Sequence, residues 1–549
     1  MRDFIEKLKN KRELIFEIIA IFLIALFSNS IVPKTLQNDT FYTVTIGNLI
    51  LDNGIDMQDH FSWHEDLPYT YPHWLYDVIM SLIYNLGEWK AIYISVCVLS
   101  TVLGITIYKV NKKLANNQVI SFLITIGVMY LLKDYIAARA QLVTFILYTL
   151  IIYFIEKFLE NPKKIRYGLG IVISSTLIAN LHVAVWPFIF VLSLPYIAEY
   201  IISVFSDVVI YRKLIILKNR IALKHAKNNE EKIQKINKSL EDLYAKNEKI
   251  KIKRESDEPY KIKMQRNKNV KWLIVLMIVC GFTGLLTPTG TTPYTYLYKT
   301  MQGNTVENIN EHLPLTLAND IPIMSTIVIV LAVITFTKAK IRLCDLFMLG
   351  GLTYLMFESK RQSTMFVLIG SIILNKMIVD AIKIYISSDI KEINKKLINI
   401  LTITTLSSLV IYFSVKYIDD KIDDKYISKS TYPVEAAEWI LENLDVDNIK
   451  LFNEYNYGSY LLYKGIPVFI DSRADLYAPE FNDSEDIFSD FIDTSGIGKF
   501  YGSTFEKYGI THVILYKNSK ISMIIDKADS ENYNKIYSDD YFVIYEVLE

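Results

Sequence analysis

Cysteine is nearly missing from this 549-residue chain: there are three, Cys97, Cys280 and Cys344, and each lies inside an apolar run. That excludes a disulfide framework and a thiolate metal site, both of which need several cysteines in suitable positions. A glycine-rich phosphate loop is absent, as is any internal repeat. Net charge is absent too, since 59 Lys and Arg balance 59 Asp and Glu. That balance is a cancellation. Residues 206–271 hold 19 basic side chains against 9 acidic, whereas residues 418–549 hold 12 against 26, so the two polar parts carry opposite signs.

What is present is apolar sequence in long runs. From Leu14 to about Lys416 such runs alternate with short charged links, the pattern of helices that cross a bilayer. Five Lys and Arg among residues 1–13 place the N-terminus in the cytoplasm. A cleaved signal is the other reading of the first run, but the run is long and Ser28 to Ser30 make a weak cleavage site. Residues 37–73 carry six acids and no Lys or Arg, which puts them outside. Leu75 to Leu86 would span only about 20 Å as a helix, short of a hydrocarbon core of about 30 Å. An interfacial helix is expected there, because a crossing would carry the basic link Lys109 to Lys113 outside.

The remaining basic links then alternate correctly, with Lys157–Arg166, 206–271, Lys338–Arg342 and Lys391–Lys396 all inside. Eleven crossings result, near 14–33, 91–109, 118–134, 140–158, 167–181, 184–205, 271–288, 321–337, 343–358, 362–384 and 397–417. The expected architecture is a polytopic α-helical membrane domain over 1–417, with interfacial helices in an outer loop at 37–90. A basic cytoplasmic insertion occupies 206–270, and an extracytoplasmic α/β domain follows over 418–549. The expected setting is the cell's plasma membrane.

In the insertion, Ile233, Ile236, Leu240 and Leu243 recur at helical spacing, which predicts a helical hairpin whose basic face touches anionic headgroups. No nucleic-acid-binding module is recognisable in it. In the C-terminal part a helix is expected over Val434–Asn443 and another over Gly502–Tyr508. Strands are expected at Lys450–Phe452, Val468–Ile470, His512–Leu515 and Tyr541–Val547.

Polar residues gather at the outward ends of the crossings. His60, His64, His73, His182 and His312 fall in outer loops or mouths, with Asp39, Asp59, Glu65, Glu311 and Arg139, and ionisable groups at a membrane face are functional candidates. Asp39 stands just beyond the first crossing, ahead of an amphipathic stretch, Phe41–Leu51, that ends at the turn Asn53-Gly54. A carboxylate there can act as general base on a hydroxyl, or it can cap the helix that follows.

Asn38-Asp39, then Gly47 and Gly54, then Asp59-His60-Phe61-Ser62 and Tyr71-Pro72-His73-Trp74-Leu75 resemble the first outer loop of the GT-C superfamily of membrane glycosyltransferases. That superfamily includes the protein O-mannosyltransferases and the lipid A aminoarabinose transferase. Ala138-Arg139-Ala140-Gln141, Asn180-Leu181-His182 and the stretch from Thr287-Pro288 through Glu311-His312 are similar to its uncharacterised bacterial branch, as is Asn453–Arg473 with Tyr457-Gly458-Ser459-Tyr460 and Phe469-Ile470-Asp471-Ser472-Arg473. Asn38 stands where many members carry a second acid, and His312 where an aromatic often follows the loop glutamate.

The resemblance implies transfer of a sugar from a polyprenyl phosphate to a glycan, lipid or protein acceptor on the outer face. Such a donor is anchored in the bilayer, so its enzyme needs a cationic clamp for phosphate and a base for the acceptor hydroxyl. Arg139, Lys360 and Arg361, at outward helix ends, are the candidate clamp; snorkelling to lipid phosphates or pairing with Glu358 is the alternative. Asp39 is the candidate base and Asp59 the second catalytic carboxylate. His64, Glu65, His73, Asn180, His182 and Glu311 are candidates for holding sugar or acceptor, although Asn180 and His182 could equally satisfy backbone at a helix end. No cofactor is fixed by the sequence. A divalent ion at Asp59 with His60 or Glu65 has the right ligand types but no defining spacing. Asp471, Arg473 and Asp475 follow an expected strand, where α/β domains place ligands, so the C-terminal domain either holds acceptor or covers the vestibule. Two other classes remain open. A lipid-linked glycan flippase would need polar mid-helix residues in two similar halves, and a non-enzymatic envelope assembly protein would tolerate changes at Asp39.

Overall fold

The computed structural model describes residues 2–205, 209–226, 229–256, 261–303, 305–316, 318, 320–385 and 392–548. Of the expected insertion, 206–208, 227, 228 and 257–260 therefore lie outside the described residues.

The apolar runs fold as helices. In chain order they are α1 (Arg2–Ser30), α2 (Asn38–Asn53), α3 (Trp74–Ala115), α4 (Gln118–Leu131), α5 (Ala140–Glu160), α6 (Ile165–Leu181), α7 (Phe188–Phe205), α8 (Val209–His225) and α9 (Glu230–Ser256). They continue with α10 (Val270–Thr283), α11 (Thr292–Gln302), α12 (Thr305–Asn308), α13 (Ile321–Phe336), α14 (Leu343–Glu358), α15 (Ser363–Tyr385) and α16 (Glu392–Asp419). Each of the eleven apolar runs coincides with one of these. Among the described residues five stretches are long and apolar enough to cross a membrane: Glu13–Ser30, Trp74–Ala115, Ala140–Glu160, Val183–Phe205 and Lys360–Tyr385. Four shorter apolar helices, α4, α6, α10 and α13, accompany them.

The short helix expected at Leu75–Leu86 is the first part of α3. It ends at Gly87 and Glu88, whose backbones leave the helical region, Glu88 at a φ of 52°. Beyond them Trp89 begins the long apolar part, so one continuous run of sequence makes two differently directed helices. The first of these packs on α2 at Gly47, where a Cβ would stand 2.1 Å from the Asp77 carbonyl oxygen. Only glycine permits that approach.

Two ends of the bundle are marked by ion pairs. At one end Arg342, just before α14, reaches Glu156 of α5 at 3.0 Å and Glu199 of α7 at 3.8 Å, and Lys376 of α15 joins Glu156 at 3.3 Å. At the other end lie Arg139, before α5, and Arg361, after α14. Lys421 also sits at this end, where its Nζ donates to the carbonyl oxygens of Ser30 at 2.8 Å and Asn29 at 3.2 Å. It thereby caps α1 with a positive charge at its negative pole.

Two short strands, β1 (Ile262–Lys263) and β2 (Ile341–Arg342), pair in parallel beside the first ion cluster. The C-terminal part carries α17 (Val434–Asn443), as expected, and a four-stranded sheet of β3 (Leu451–Phe452), β4 (His512–Tyr516), β5 (Tyr533–Ser538) and β6 (Phe542–Val547) in the order β3-β4-β6-β5. β3 and β4 are parallel and the other pairs antiparallel. The strand expected at Val468–Ile470 is not part of this sheet. Val468 instead makes a single parallel bridge to Ser62 of the loop between α2 and α3, because these residues are the buried seam between loop and domain. The edge strand β5, rich in exposed polar residues, was not expected; its alternation is obscured by a bulge between Lys535 and Tyr537.

Loop and domain are joined throughout. α18 (Tyr455–Tyr463) packs on α2, where Phe41 meets the rings of Tyr432, Tyr460 and Tyr463. Trp63 Nε1 donates to the Leu451 carbonyl at 3.0 Å, and Asn38 Nδ2 donates to that of Tyr455 at 2.9 Å.

Candidate functional site

Asp39 occupies the first turn of α2, where a carboxylate is favoured by the helix dipole. Across from it Arg139 stands in extended backbone immediately before α5. Its Nε forms an ion pair with Asp39 Oδ2 at 2.8 Å, and its Nη1 donates to Glu311 Oε1 at 2.8 Å. Glu311 lies in the segment between α12 and α13 and turns its other oxygen to Arg361 Nε at 4.0 Å. Arg361 belongs to a single 3-10 turn, Lys360–Gln362, between α14 and α15, and its amide donates to the Glu311 carbonyl at 2.9 Å. The result is a row of alternating charge, Asp39–Arg139–Glu311–Arg361, built from four separate stretches of chain. Burial pushes the Glu311 carboxyl up, but Arg139 and Arg361 outweigh it and hold it below its ordinary value. Burial likewise pulls at the Arg139 charge, and Asp39 and Glu311 more than restore it.

This row lines a cavity of about 570 Å³ bordered by α2, the loop between α2 and α3, the helix ends and the C-terminal domain. His73 and His182 also face it, with ring centroids 5.3 Å apart. Burial, and then the nearby Arg361 and Arg139, lower His73 to about 3; burial, His73 and the same arginines depress His182, so both rings are neutral. His182 Nδ1 is buried with no hydrogen-bond partner. The domain contributes Tyr455, Arg473 and Asp475 to the wall. Asp475 accepts from Tyr296 OH, and from Thr305 Oγ1 at 3.3 Å; burial raises its carboxyl above the usual range, although these donors oppose it.

Arg139 and Glu311 border a second cavity of about 470 Å³ as well. Lys360 faces this one, together with Lys133, Gln141 and Asp320. Thus Asp39, Arg139, Arg361, Glu311, His73 and His182 share one space, and Lys360 lies on the far side of the Arg139–Glu311 pair.

The other sequence candidates point elsewhere. Asp59 is not among the cavity-lining residues: Arg473 Nη1 meets it at 2.5 Å and Ser62 Oγ and N donate to it at 2.6 and 2.9 Å. His64 Nε2 bonds the Phe469 carbonyl at 2.8 Å, its ring among Trp63, Tyr477 and Tyr508. Asn180 accepts from Trp74 Nε1 at 3.1 Å and donates to the carbonyls of Thr176 and Leu286 at 2.8 and 3.0 Å, which uses both ends of its amide. Glu65 is exposed. His60 pairs with Asp56 at 2.6 Å. With Asp59 filled by Arg473 and His60 taken by Asp56, these side chains do not fit a divalent ion. Among the described residues no three His, Cys, Asp or Glu are grouped so as to hold a metal.

Several cavity residues escaped the sequence reading. Tyr42 follows Asp39 by one turn of α2, so helical spacing alone could have found it. Tyr296 and Tyr455 carried no local signal, since each reaches the cavity only through the long-range meeting of α11 and α18 with the helix ends.

No protein-family profile and no curated protein sequence matches this chain. Among solved structures it is similar to the oligosaccharyltransferase of Archaeoglobus fulgidus in the apo form, with a TM-score of 0.53 at 11% identity over 90% of this chain and 69% of that one. At that identity the likeness is one of fold: the chain is a mostly helical membrane protein with an oligosaccharyltransferase-like architecture and a small C-terminal sheet domain.

Proposed function

We propose that this protein is a glycosyltransferase that moves a sugar from a polyprenyl-phosphate donor to a glycan, lipid or protein acceptor at the outer face of the plasma membrane. The observation that carries the reading is the charged row Asp39–Arg139–Glu311–Arg361 along one cavity at the membrane-facing helix ends. The fold likeness to an oligosaccharyltransferase and the GT-C resemblance of the outer loop support it independently. The eleven-crossing topology with the N-terminus inside is part of the same proposal. It is supported by the separation of the Arg342 cluster from the Asp39 cavity along α5, α14 and α15.

In this mechanism the acceptor hydroxyl attacks the anomeric carbon while the bond from that carbon to the phosphate oxygen breaks. The polyprenyl phosphate leaves with the electron pair, and Asp39 takes the hydroxyl proton. Arg139 holds the Asp39 carboxylate in place at 2.8 Å, and an oxocarbenium-like transition state acidifies the incoming hydroxyl before its proton must leave. Arg361, whose guanidinium among the described residues meets a carboxylate only at 4.0 Å, is the freer cation for the donor phosphate. Asp59, with its carboxylate filled, serves the fold and not the chemistry in this reading.

The test is transfer of label from radiolabelled polyprenyl-phosphate hexoses to a membrane extract, with wild type and Asp39→Asn in nanodiscs. Loss of a positioned base costs roughly 10²–10⁴-fold. Transfer by wild type alone is the expected result. Equal transfer by both removes Asp39 from the mechanism, and no transfer from any bound donor favours a flippase or assembly role.

A further inference from the structure

Helix α8 has two faces of different character. One, with Ile216, Asn219 and Leu223 half-buried, turns toward α9, where Asn219 Nδ2 donates to Ser239 Oγ at 3.1 Å. On the other, Leu214, Leu217 and Ile221 are 59%, 55% and 50% exposed. Their spacing of three and four residues puts them in a single stripe. At about 100° per residue, Lys218 and His225 border the stripe on one side and Arg220 and Lys224 on the other. The four bordering side chains are exposed, and the helix holds five Lys and Arg and no acid.

An exposed apolar stripe hemmed on both sides by cations is the pattern of a helix lying in a membrane surface. Its place in the chain agrees. α8 begins four positions after the end of α7, which belongs to a stretch long and apolar enough to cross, and after α9 the chain returns to the apolar α10. From the folded geometry we infer that α8 lies in the plane of the bilayer, with Leu214, Leu217 and Ile221 in the acyl boundary. Lys218 and Lys224 at its borders sit on anionic phospholipid headgroups, whereas Arg220 Nη2 donates to Tyr244 OH of α9 at 2.8 Å. α9 packs on the water side and carries acidic as well as basic residues, Glu230, Glu231, Glu241 and Asp242 among them. The lysines snorkel, keeping their ammonium groups at the headgroups while their stems cover the edges of the stripe. A helix held this way fixes the hairpin against the membrane.

The full chain in nanodiscs of phosphatidylcholine, with or without phosphatidylglycerol, tests this. The three native cysteines are replaced by alanine, and Leu217→Cys, or Gln234→Cys on the exposed face of α9, carries an environment-sensitive fluorophore. At position 217 emission shifts to the blue and is quenched by nitroxide-bearing lipid, more strongly with phosphatidylglycerol; at position 234 it stays water-like. Water-like, unquenched emission at 217 overturns the inference, and so does a blue shift without lipid quenching, which would mean a protein contact. The unmodified chain gives a second reading. Trypsin cleavage after Lys218 slows in phosphatidylglycerol discs relative to cleavage after Lys235 and Lys238 of α9; an unchanged ratio overturns the inference.

Discussion

Arg473 Nη1 lies 2.5 Å from Asp59 Oδ1, although the two residues are 414 positions apart in the chain. Their side chains are 2% and 1% exposed, and Asp471 completes the cluster through Arg473 Nη2 at 2.6 Å. Removing one member of a buried ion pair strands the others without solvent and costs about 3–5 kcal/mol. Asp59→Asn should therefore lower the melting temperature of the protein in nanodiscs and expose the C-terminal domain to protease. Transfer activity lost by heating should return on assay at low temperature, which a catalytic role for Asp59 does not allow.

The same residue sets an acid limb. Burial pushes the Asp59 carboxyl up, but Arg473 and the Ser62 donors pull it lower, to a net value below the ordinary one. Its folded pKa is thus depressed, so its contribution is full above the unfolded value of about 3.9 and is lost as pH falls through the folded value. Melting temperatures of wild type and Asp59→Asn should converge below that range.

His64 acts at milder pH. Burial lowers its pKa to about 4, against the hydrogen bond to the Phe469 carbonyl, which works the other way. The unfolded chain takes the proton first, so stability is full above about pH 6.5 and falls toward pH 4, by about 3 kcal/mol. His64→Phe keeps the ring among Trp63, Tyr477 and Tyr508 and should flatten this part of the melting-temperature profile. A profile as steep as wild type would place the responsible proton on another group, such as His73.

Much of this architecture is legible in hydropathy, because a bilayer demands about 20 apolar residues per crossing and leaves that mark in sequence. The charge of the links and the shortness of Leu75–Leu86 located the break that the structure places at Gly87 and Glu88. The meeting of the loop between α2 and α3 with the C-terminal domain was not legible. Nothing near Asp59 announces Arg473, and Val468–Ile470 has the composition of a strand while its bridge goes to Ser62. The site divides in the same way. Ionisable groups at helix ends are costly and few, so Asp39, Arg139, Glu311 and Arg361 stand out in the sequence, and the structure brings all four to one cavity. Asn180 and His64 stood out by the same argument, and both side chains bond carbonyls, since a polar side chain beside a membrane serves a carbonyl as readily as a substrate.

Gly47 bears on the position of Asp39 itself. A methyl at Gly47 would meet the Asp77 carbonyl at 2.1 Å and Ser81 Cβ at 2.6 Å, so α2 must slide or tilt away from the first part of α3. Gly47→Ala should cost about 1–3 kcal/mol and reduce transfer by moving Asp39, two turns earlier, off Arg139. Gly54→Ala is the control. Its position is open, but its φ of +82° with a ψ of −164° is a region open essentially to glycine alone, so it should cost about 1–3 kcal/mol through backbone strain and leave the transfer rate of the folded protein unchanged. Thermal melts and initial rates of both variants separate the two effects.

Glu311 is the one carboxylate that touches both arginines of the row, and its substitution tests whether the row works as a unit. Glu311→Gln keeps the shape and loses the charge. Arg139 is then left with Asp39 as its remaining ionic partner, which tightens that pair and leaves the Asp39 carboxylate less available to an incoming hydroxyl. At the same time Arg361 loses the charge that faces it at 4.0 Å. A charged hydrogen bond contributes about 1.5–3 kcal/mol, so kcat/KM should fall by roughly 10–100-fold. The loss should lie mainly in kcat, because the donor phosphate gains access to Arg361 as Glu311 lets go. Wild-type kinetics for Glu311→Gln, beside an inactive Arg139→Ala, would mean that Arg139 serves Asp39 directly and that Glu311 stands outside the catalytic row.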